Sequence, residues 1–253
     1  MIKTNHLFLM IFGTLVFLGC KKQMSDTEIT CQNIKNATLF SNSPVVIGHF
    51  FLFGTQEVGG YRVYSWNGPN NYQSQYPKDS IEVELKHEGW YYLHLYSANG
   101  QCQKIDSIFL DIKLQQGTPT CKIDINTTTF NNLGEDKYTL VKKYIEPNLS
   151  QKSLYASGGM YSNMTVYFHT HWRTAEPEDG IYFTTNTPVF DQADNNYNKV
   201  FITTTKSNIY FGSNEGQTVY VSHVNSKLQL RFCDIIMGGN NYNTSASGNL
   251  VEL

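Results

Sequence analysis

The sequence predicts an all-β chain: an N-terminal β-sandwich followed by a second antiparallel β-sandwich or jelly-roll-like domain. Three observations lead there. Short runs of alternating apolar and polar residues recur along the chain, as in YRVYSW and VYFHTHW, and alternation of period two turns one face of a strand toward a core. Clusters rich in Asn and Gly, such as NGPNN and SANGQ, separate these runs and read as turns. No long apolar stretch of period 3.6 appears, and 17 Tyr and 15 Phe accompany plentiful Thr, Asn, Ser and Gly, a composition that suits strands and polar turns.

Residues 1–19 read as an export signal rather than as part of the fold. Lys3 and His6 flank the start of an apolar run from Leu7 to Leu18, interrupted only by Gly13 and Thr14. At about 1.5 Å per residue this run is too short for a hydrocarbon core of about 30 Å. A charged start, an apolar centre and a small residue before the cut describe a signal peptide. Phe17-Leu18-Gly19-Cys20 resembles the bacterial lipoprotein signal, which implies that Cys20 is lipidated and becomes the new N-terminus. Acyl chains contribute about 0.8 kcal/mol per buried methylene, and more than one makes attachment stable. The resemblance therefore implies an exported chain held on a membrane by lipid without crossing it. Lys21 stands where an aspartate is associated with inner-membrane retention, so the outer membrane is expected, with its periplasmic or surface face left open. Residues 20–29 are the expected lipidated tether.

Net charge is −2 with 16% charged residues, so no basic surface points to nucleic acid. Apart from Cys20 there are four cysteines, Cys31, Cys102, Cys121 and Cys233, an even number in an exported chain. Three connectivities are open; the arrangement that staples each half, Cys31 with Cys102 and Cys121 with Cys233, is expected over the others or over free thiols. No CxxC or paired Cys/His spacing suggests zinc. Residues 114–119, within LQQGTPT, carry Gly117 and Pro119 between two strand-rich regions and read as a linker. It separates an N-terminal domain, residues 30–113, from a C-terminal domain, residues 120–253.

In residues 30–113, strands are expected at HFFLFG, YRVYSW, SIEVEL, WYYLHLY and SIFLDIKL. SPVVIGHFFLFG, VYSWNGPNNYQSQ, HEGWYYLHLYSANGQC and DSIFLDIKL together resemble the immunoglobulin-like and PKD-like repeats of bacterial surface proteins. The resemblance implies Trp66 at the centre of the core with Tyr64 on the same face, and Tyr91 inward with its hydroxyl on backbone, followed by Leu93 and Leu95. Where those repeats often place a cysteine, this chain has Val46, and Cys31 is expected to replace it as the partner of Cys102. Trp90, Tyr92, His94 and Tyr96 share the opposite face of the same strand. The second domain or an extra strand is expected to cover this row; left uncovered, it is the foremost candidate ligand surface, able to stack on sugar rings or pack on a protein.

In residues 120–253, strands are expected at CKIDIN, MTVYFHTHW, GIYFTTN, KVFITTT, NIYFGS, QTVYVSHV, KLQLRFCDI and SASGNLVEL, with DKYTLVKKYIEPN a helix that Pro147 ends. Gly180-Ile181-Tyr182, Gly216 to Val221 and Ser247 to Leu250 resemble the C-terminal β-domains of Bacteroidota lipoproteins, a resemblance that implies no particular chemistry. His169-x-His171 followed by Glu176 is similar to the centre of the cupin metal signature. The glycine expected before the first histidine is Asn163, the glycine expected after Glu176 is displaced, and His223 is the only further histidine in the domain. The alternative expected from strand geometry puts His169 and His171 outward on a polar sheet face, with Phe168 and Trp172 toward the core. FDQADNNYN is expected to be a solvated turn rather than a calcium loop. Asp79-Ser80-Ile81 and Asp106-Ser107-Ile108 resemble the O-glycosylation signal of exported Bacteroidota proteins.

No nucleophile elbow, phosphate-binding glycine loop or His-Glu-x-x-His helix is present, so no catalytic residue and no cofactor is expected. The expected function is non-enzymatic: a membrane-anchored envelope lipoprotein that binds a glycan or an envelope protein at the cell surface. The alternatives are an accessory subunit of an outer-membrane complex and a metal-dependent, cupin-like enzyme.

Overall fold

The computed structural model describes residues 26–57, 62–145, 151–159, 162–169, 176–188, 197–240 and 242–253. The export signal, Cys20, His171 and most of FDQADNNYN lie outside them. No described helix is long and apolar enough to cross a membrane. The chain is an all-β fold of sandwich type, with one α-helix among the described residues, α1 (Asp26–Asn36).

The helix is a departure from the expected tether. Its sequence, DTEITCQNIKN, is polar on average, so nothing in its periodicity announces a helix. Packing holds it instead: Ile34 is fully buried, Cys31 is bonded to Cys102 with 5.3 Å between Cα atoms, and the Lys104 ammonium donates to the Ala37 carbonyl just past its end. A short helix with one apolar stripe is stable only against such a partner.

Nine strands follow among the described residues of the first half. They are β1 (Leu39–Ser41), β2 (Val45–Val46), β3 (Phe50–Thr55), β4 (Arg62–Gly68), β5 (Tyr72–Ser74), β6 (Lys78–Glu82), β7 (Gly89–Ser97), β8 (Gln103–Leu110) and β9 (Ile112–Lys113). They form an antiparallel sheet β1-β3-β6, a second antiparallel sheet β5-β4-β7-β8, and a parallel pair β2-β9. SIEVEL is strand only as far as Glu82; Leu85–His87 is a 3-10 turn. Phe51 and Phe53 of β3 pack against Trp66 and Tyr91 of the facing sheet, with Phe53 edge-on to Trp66 at 5.0 Å between centroids. Burial of aromatic rings is the largest apolar contribution here. The polar ends of these rings are satisfied: Trp66 Nε1 donates to the Tyr76 carbonyl at 3.0 Å, and Tyr72 Oη donates to Asp79 at 2.6 Å, tying β5 to β6 across the sandwich. Burial, and then this bond, push the Tyr72 hydroxyl pKa upward.

The described residues of the second half form eleven strands: β10 (Thr127–Phe130), β11 (Gly134–Lys137), β12 (Leu140–Ile145), β13 (Gln151–Gly159), β14 (Ser162–His169), β15 (Gly180–Thr184), β16 (Lys199–Lys206), β17 (Ile209–Ser213), β18 (Thr218–Val224), β19 (Lys227–Gly239) and β20 (Tyr242–Val251). The order is β11-β10-β20-β19-β18-β15-β16-β14-β13-β12, and β17 bridges β16 and β19. The sheet curls back on itself, because Leu253 N, just past β20, donates to Val141 O of β12 at 3.1 Å. Met164, Val166, Phe168, Val200 and Ile202 thus face Val219, Val221, Leu230, Phe232 and Met237 in one core.

Two expectations are corrected. DKYTLVKKYIEPN is not a helix: its described part supplies the end of β11 and all of β12, where Val141 is buried and pairs with Ala156. CKIDIN is not a strand, because Cys121 to Asn126 run outside the ladders and β10 begins at Thr127. The expected linker belongs to the same packed strap. Leu114 is buried, Gln115 O accepts from Ile181 N at 2.8 Å, and Gly117 lies against Ile181 and Tyr220, where a Cβ would come within 2.9 Å of both. Cys121 is bonded to Cys233 with 5.7 Å between Cα atoms. Both disulfides are therefore the pairs that staple each half.

Each half repeats one local device. In Gly89-Trp90-Tyr91 the tyrosine hydroxyl donates to the carbonyl of His87, and in Gly180-Ile181-Tyr182 to that of Glu178, both at 3.0 Å. Such a bond fastens the chain as it enters a strand. The glycines are required by space: a Cβ at Gly89 would lie 2.8 Å from the Pro69 ring, and one at Gly180 2.3 Å from Leu114 Cβ. Gly180 thereby seats the strap, and Tyr197 Oη donates to Glu88 Oε2 at 2.7 Å to join the halves a second time.

Candidate functional site

The outward face of β7 carries the aromatic row. Strand alternation puts Tyr91, Leu93 and Leu95 in the core and Trp90, Tyr92, His94 and Tyr96 on the other side. The second half does not cover it: Trp90 is 48% and Tyr92 45% exposed, while His94 and Tyr96 are half-buried. The expected cover, by the second domain or by an extra strand, is therefore absent over Trp90 and Tyr92. Phe109 of β8 stands opposite Trp90 and meets it edge-on at 5.2 Å. Asn67 and Ser107 flank Tyr92 from the two neighbouring strands, and Ser65 and Ile105 flank His94. Tyr96 Oη and His94 Nδ1 are 3.2 Å apart, within hydrogen-bonding distance. The result is a flat platform about 7 Å between successive outward residues, aromatic at its centre, with amide and hydroxyl groups on both sides and no Asp, Glu, Lys or Arg among these residues.

The metal candidates are not brought together as the cupin signature requires. His169 is only 7% exposed, so it is not the solvent-exposed histidine expected; both Phe168 and His169 are buried at this end of β14. His171 lies outside the described residues. Glu176 turns elsewhere: its carboxylate accepts from Lys143 Nζ at 2.7 Å and from His223 Nε2 at 3.1 Å, and the Lys143 ammonium, followed by His223, holds it below the usual carboxylate range. His223 Nδ1 is 2.6 Å from Asp179 Oδ1, and Lys143 also pairs with Glu252 at 3.0 Å. The two ring nitrogens of His223 point to different carboxylates, which makes a clasp between β18, the 176–179 segment and β12 rather than ligands converging on one ion. Among the described residues no group of three or more His, Cys, Asp or Glu side chains is placed to hold a metal.

Three features escaped the sequence reading. Phe40, Phe50 and Leu52 are exposed apolar side chains on the sheet of β1, β3 and β6. Lys206 and Asp136 form a largely buried ion pair in a pocket also lined by Gly158-Gly159 and Ser207-Asn208. Arg231 lines a cavity under the strap. Only the first carried a signal, since Phe50 and Leu52 alternate with Phe51 and Phe53 in an apolar run with no polar face to assign. No protein-family model matches the chain, and no curated protein matches it.

Proposed function

We propose that this protein is a lipid-anchored envelope protein whose N-terminal sandwich, immunoglobulin-like in type, binds a neutral glycan on the Trp90 and Tyr92 face. The observation that carries the reading is the half exposure of these two rings on one strand, between Asn67 and Ser107. Aromatic faces stack on the C–H faces of sugar rings, and flanking amides and hydroxyls take the sugar hydroxyls. The absence of charge from the named residues favours a neutral chain over an acidic one. Purified full-length protein in detergent, applied to immobilised neutral polysaccharides, is expected to bind at least one of them with a change in tryptophan fluorescence. Trp90→Ala and Tyr92→Ala should each weaken it about tenfold or more, equivalent to about 1.4 kcal/mol, with thermal unfolding unchanged because both rings are outside the core. Binding that survives both substitutions would reject the platform.

The lipid anchor has its own test. Cys20→Ser is expected to move the protein from the membrane fraction to the soluble exported fraction, and the N-terminal peptide of the wild type to carry acyl mass on Cys20. Unchanged membrane association in the variant would remove the anchor from the reading. Exposed Phe40, Phe50 and Leu52 favour a second reading, an accessory subunit docked through the opposite sheet; a stoichiometric partner that co-purifies from detergent and is lost on Leu52→Asp would support it.

A further inference from the structure

A second binding site lies in the other half, away from the aromatic platform. The strap crosses the outer face of β19 and β20 and borders an open-sided cavity of about 280 Å³, lined by Pro119, Cys121, Lys122, Asp124, Arg231 and Asn249 among others. Two features hold its walls. The bonded Cys233 is two residues from Arg231 on the same strand face, and Asn249 Nδ2 donates to the Ile123 carbonyl at 3.0 Å while its Oδ1 accepts from Gln229 at 2.8 Å.

Arg231 is the anomaly in this wall. It projects from β19 opposite the core residues Leu230 and Phe232 and is partly buried by the strap. Its Nε is sealed from solvent without a hydrogen-bond partner, and its guanidinium makes no ion pair with any described residue. Asp124 shares the cavity but is not within ion-pair distance of it. An Nε–H sealed from water without an acceptor is unfavourable, and an anion that enters the cavity beside Arg231 would supply both the acceptor and a counter-charge.

The charges and size narrow the class. Arg231 and Lys122 against Asp124 leave one positive charge in the wall, which matches a carboxylate; a phosphate monoester carries about −1.5 to −2 at neutral pH. The planar fork of a guanidinium also pairs with a carboxylate through two parallel bonds. A volume of about 280 Å³ is at the small end for ligand sites and suits one ring or a short acid. We propose that this cavity binds a small carboxylate of the size of a sugar acid, paired with Arg231 and assisted by Lys122.

Calorimetric titration of the full chain in detergent, at pH 7 and low salt, tests it with sodium D-glucuronate, sodium acetate, D-glucose and inorganic phosphate. Glucuronate is expected to bind and glucose, its uncharged counterpart, not to bind. Arg231→Gln should weaken glucuronate at least tenfold, and Arg231→Lys nearly as much, since an ammonium lacks the fork. Asp124→Asn should strengthen acetate and glucuronate several-fold by removing a like charge, a gain that a misfolded variant cannot produce. The proposal is overturned by phosphate binding without glucuronate binding, by glucuronate affinity indifferent to Arg231→Gln, or by no response to either carboxylate.

Discussion

Trp66→Ala is expected to destabilise the N-terminal sandwich by about 3–5 kcal/mol, the range for truncating a large core aromatic. Trp66 is fully buried, and its ring is met edge-on by Phe53 at 5.0 Å. Alanine would remove that contact and leave a cavity between two sheets that are held apart by Phe51, Tyr91 and the bonded Tyr72 to Asp79 pair, so collapse around the gap is restricted. It would also strand the Tyr76 carbonyl, which accepts from Nε1 at 3.0 Å. Trp66→Phe separates the two causes, since it keeps most of the apolar volume and loses the bond, and should cost about 1–3 kcal/mol. Equilibrium urea unfolding of both variants measures this. Because no described strand of one half pairs with a strand of the other, the loss should fall on the transition reported by the N-terminal half, and an alanine variant within about 1 kcal/mol of wild type would contradict the packing described.

What was legible in the sequence was whatever a single strand decides for itself. The alternation in WYYLHLY places Tyr91 and Leu93 inward and Trp90 and Tyr92 outward without knowledge of any other strand, and the structure places them so. What covers a face is decided elsewhere. The same alternation in VYFHTHW assigns His169 to the side opposite Phe168, yet both are buried; for Trp90 the reverse holds, and the expected cover is absent. Helix and strand were confused where periodicity is ambiguous. Leu140, Val141, Tyr144 and Ile145 fit a helical stripe as well as a strand, and pairing with β13 decides between them. β13 was itself unreadable, because only Leu154 and Ala156 among its Ser, Lys and Gly residues reach the core. Helix α1 and the Arg231 cavity were out of reach for a related reason: each exists through a contact with residues 71 or more positions away in the chain.

The two disulfides make different demands on their halves, and the larger effect is expected at Cys121 and Cys233. Their bond closes a loop of 112 residues, nearly the whole second sandwich, and in the chain-entropy model a loop of that length restricts the unfolded chain by about 5 kcal/mol. Replacing both with serine changes the native contacts little, since Cys121 lies on the strap and Cys233 on the outer face of β19, so most of the cost should come from the freed unfolded ensemble. The expected result is a fall of about 3–5 kcal/mol in the urea-unfolding free energy of the second sandwich. Cys31 and Cys102 close a loop of 71 residues, which the same model ranks close behind, but one end is on α1, whose other contacts include buried Ile34 and the Lys104 bond to Ala37. With that bridge gone, α1 can detach while both sheets of the first sandwich stay folded. The Cys31→Ser, Cys102→Ser variant should therefore lose amide-exchange protection over 26–36 before its unfolding midpoint moves by as much. A global cost below about 1 kcal/mol for the Cys121→Ser, Cys233→Ser variant would show that the strap is held without the bridge, by contacts such as those of Leu114, Gln115 and Gly117 and the Asn249 bond to Ile123, and equal, purely global losses in both variants would show that α1 does not come away separately.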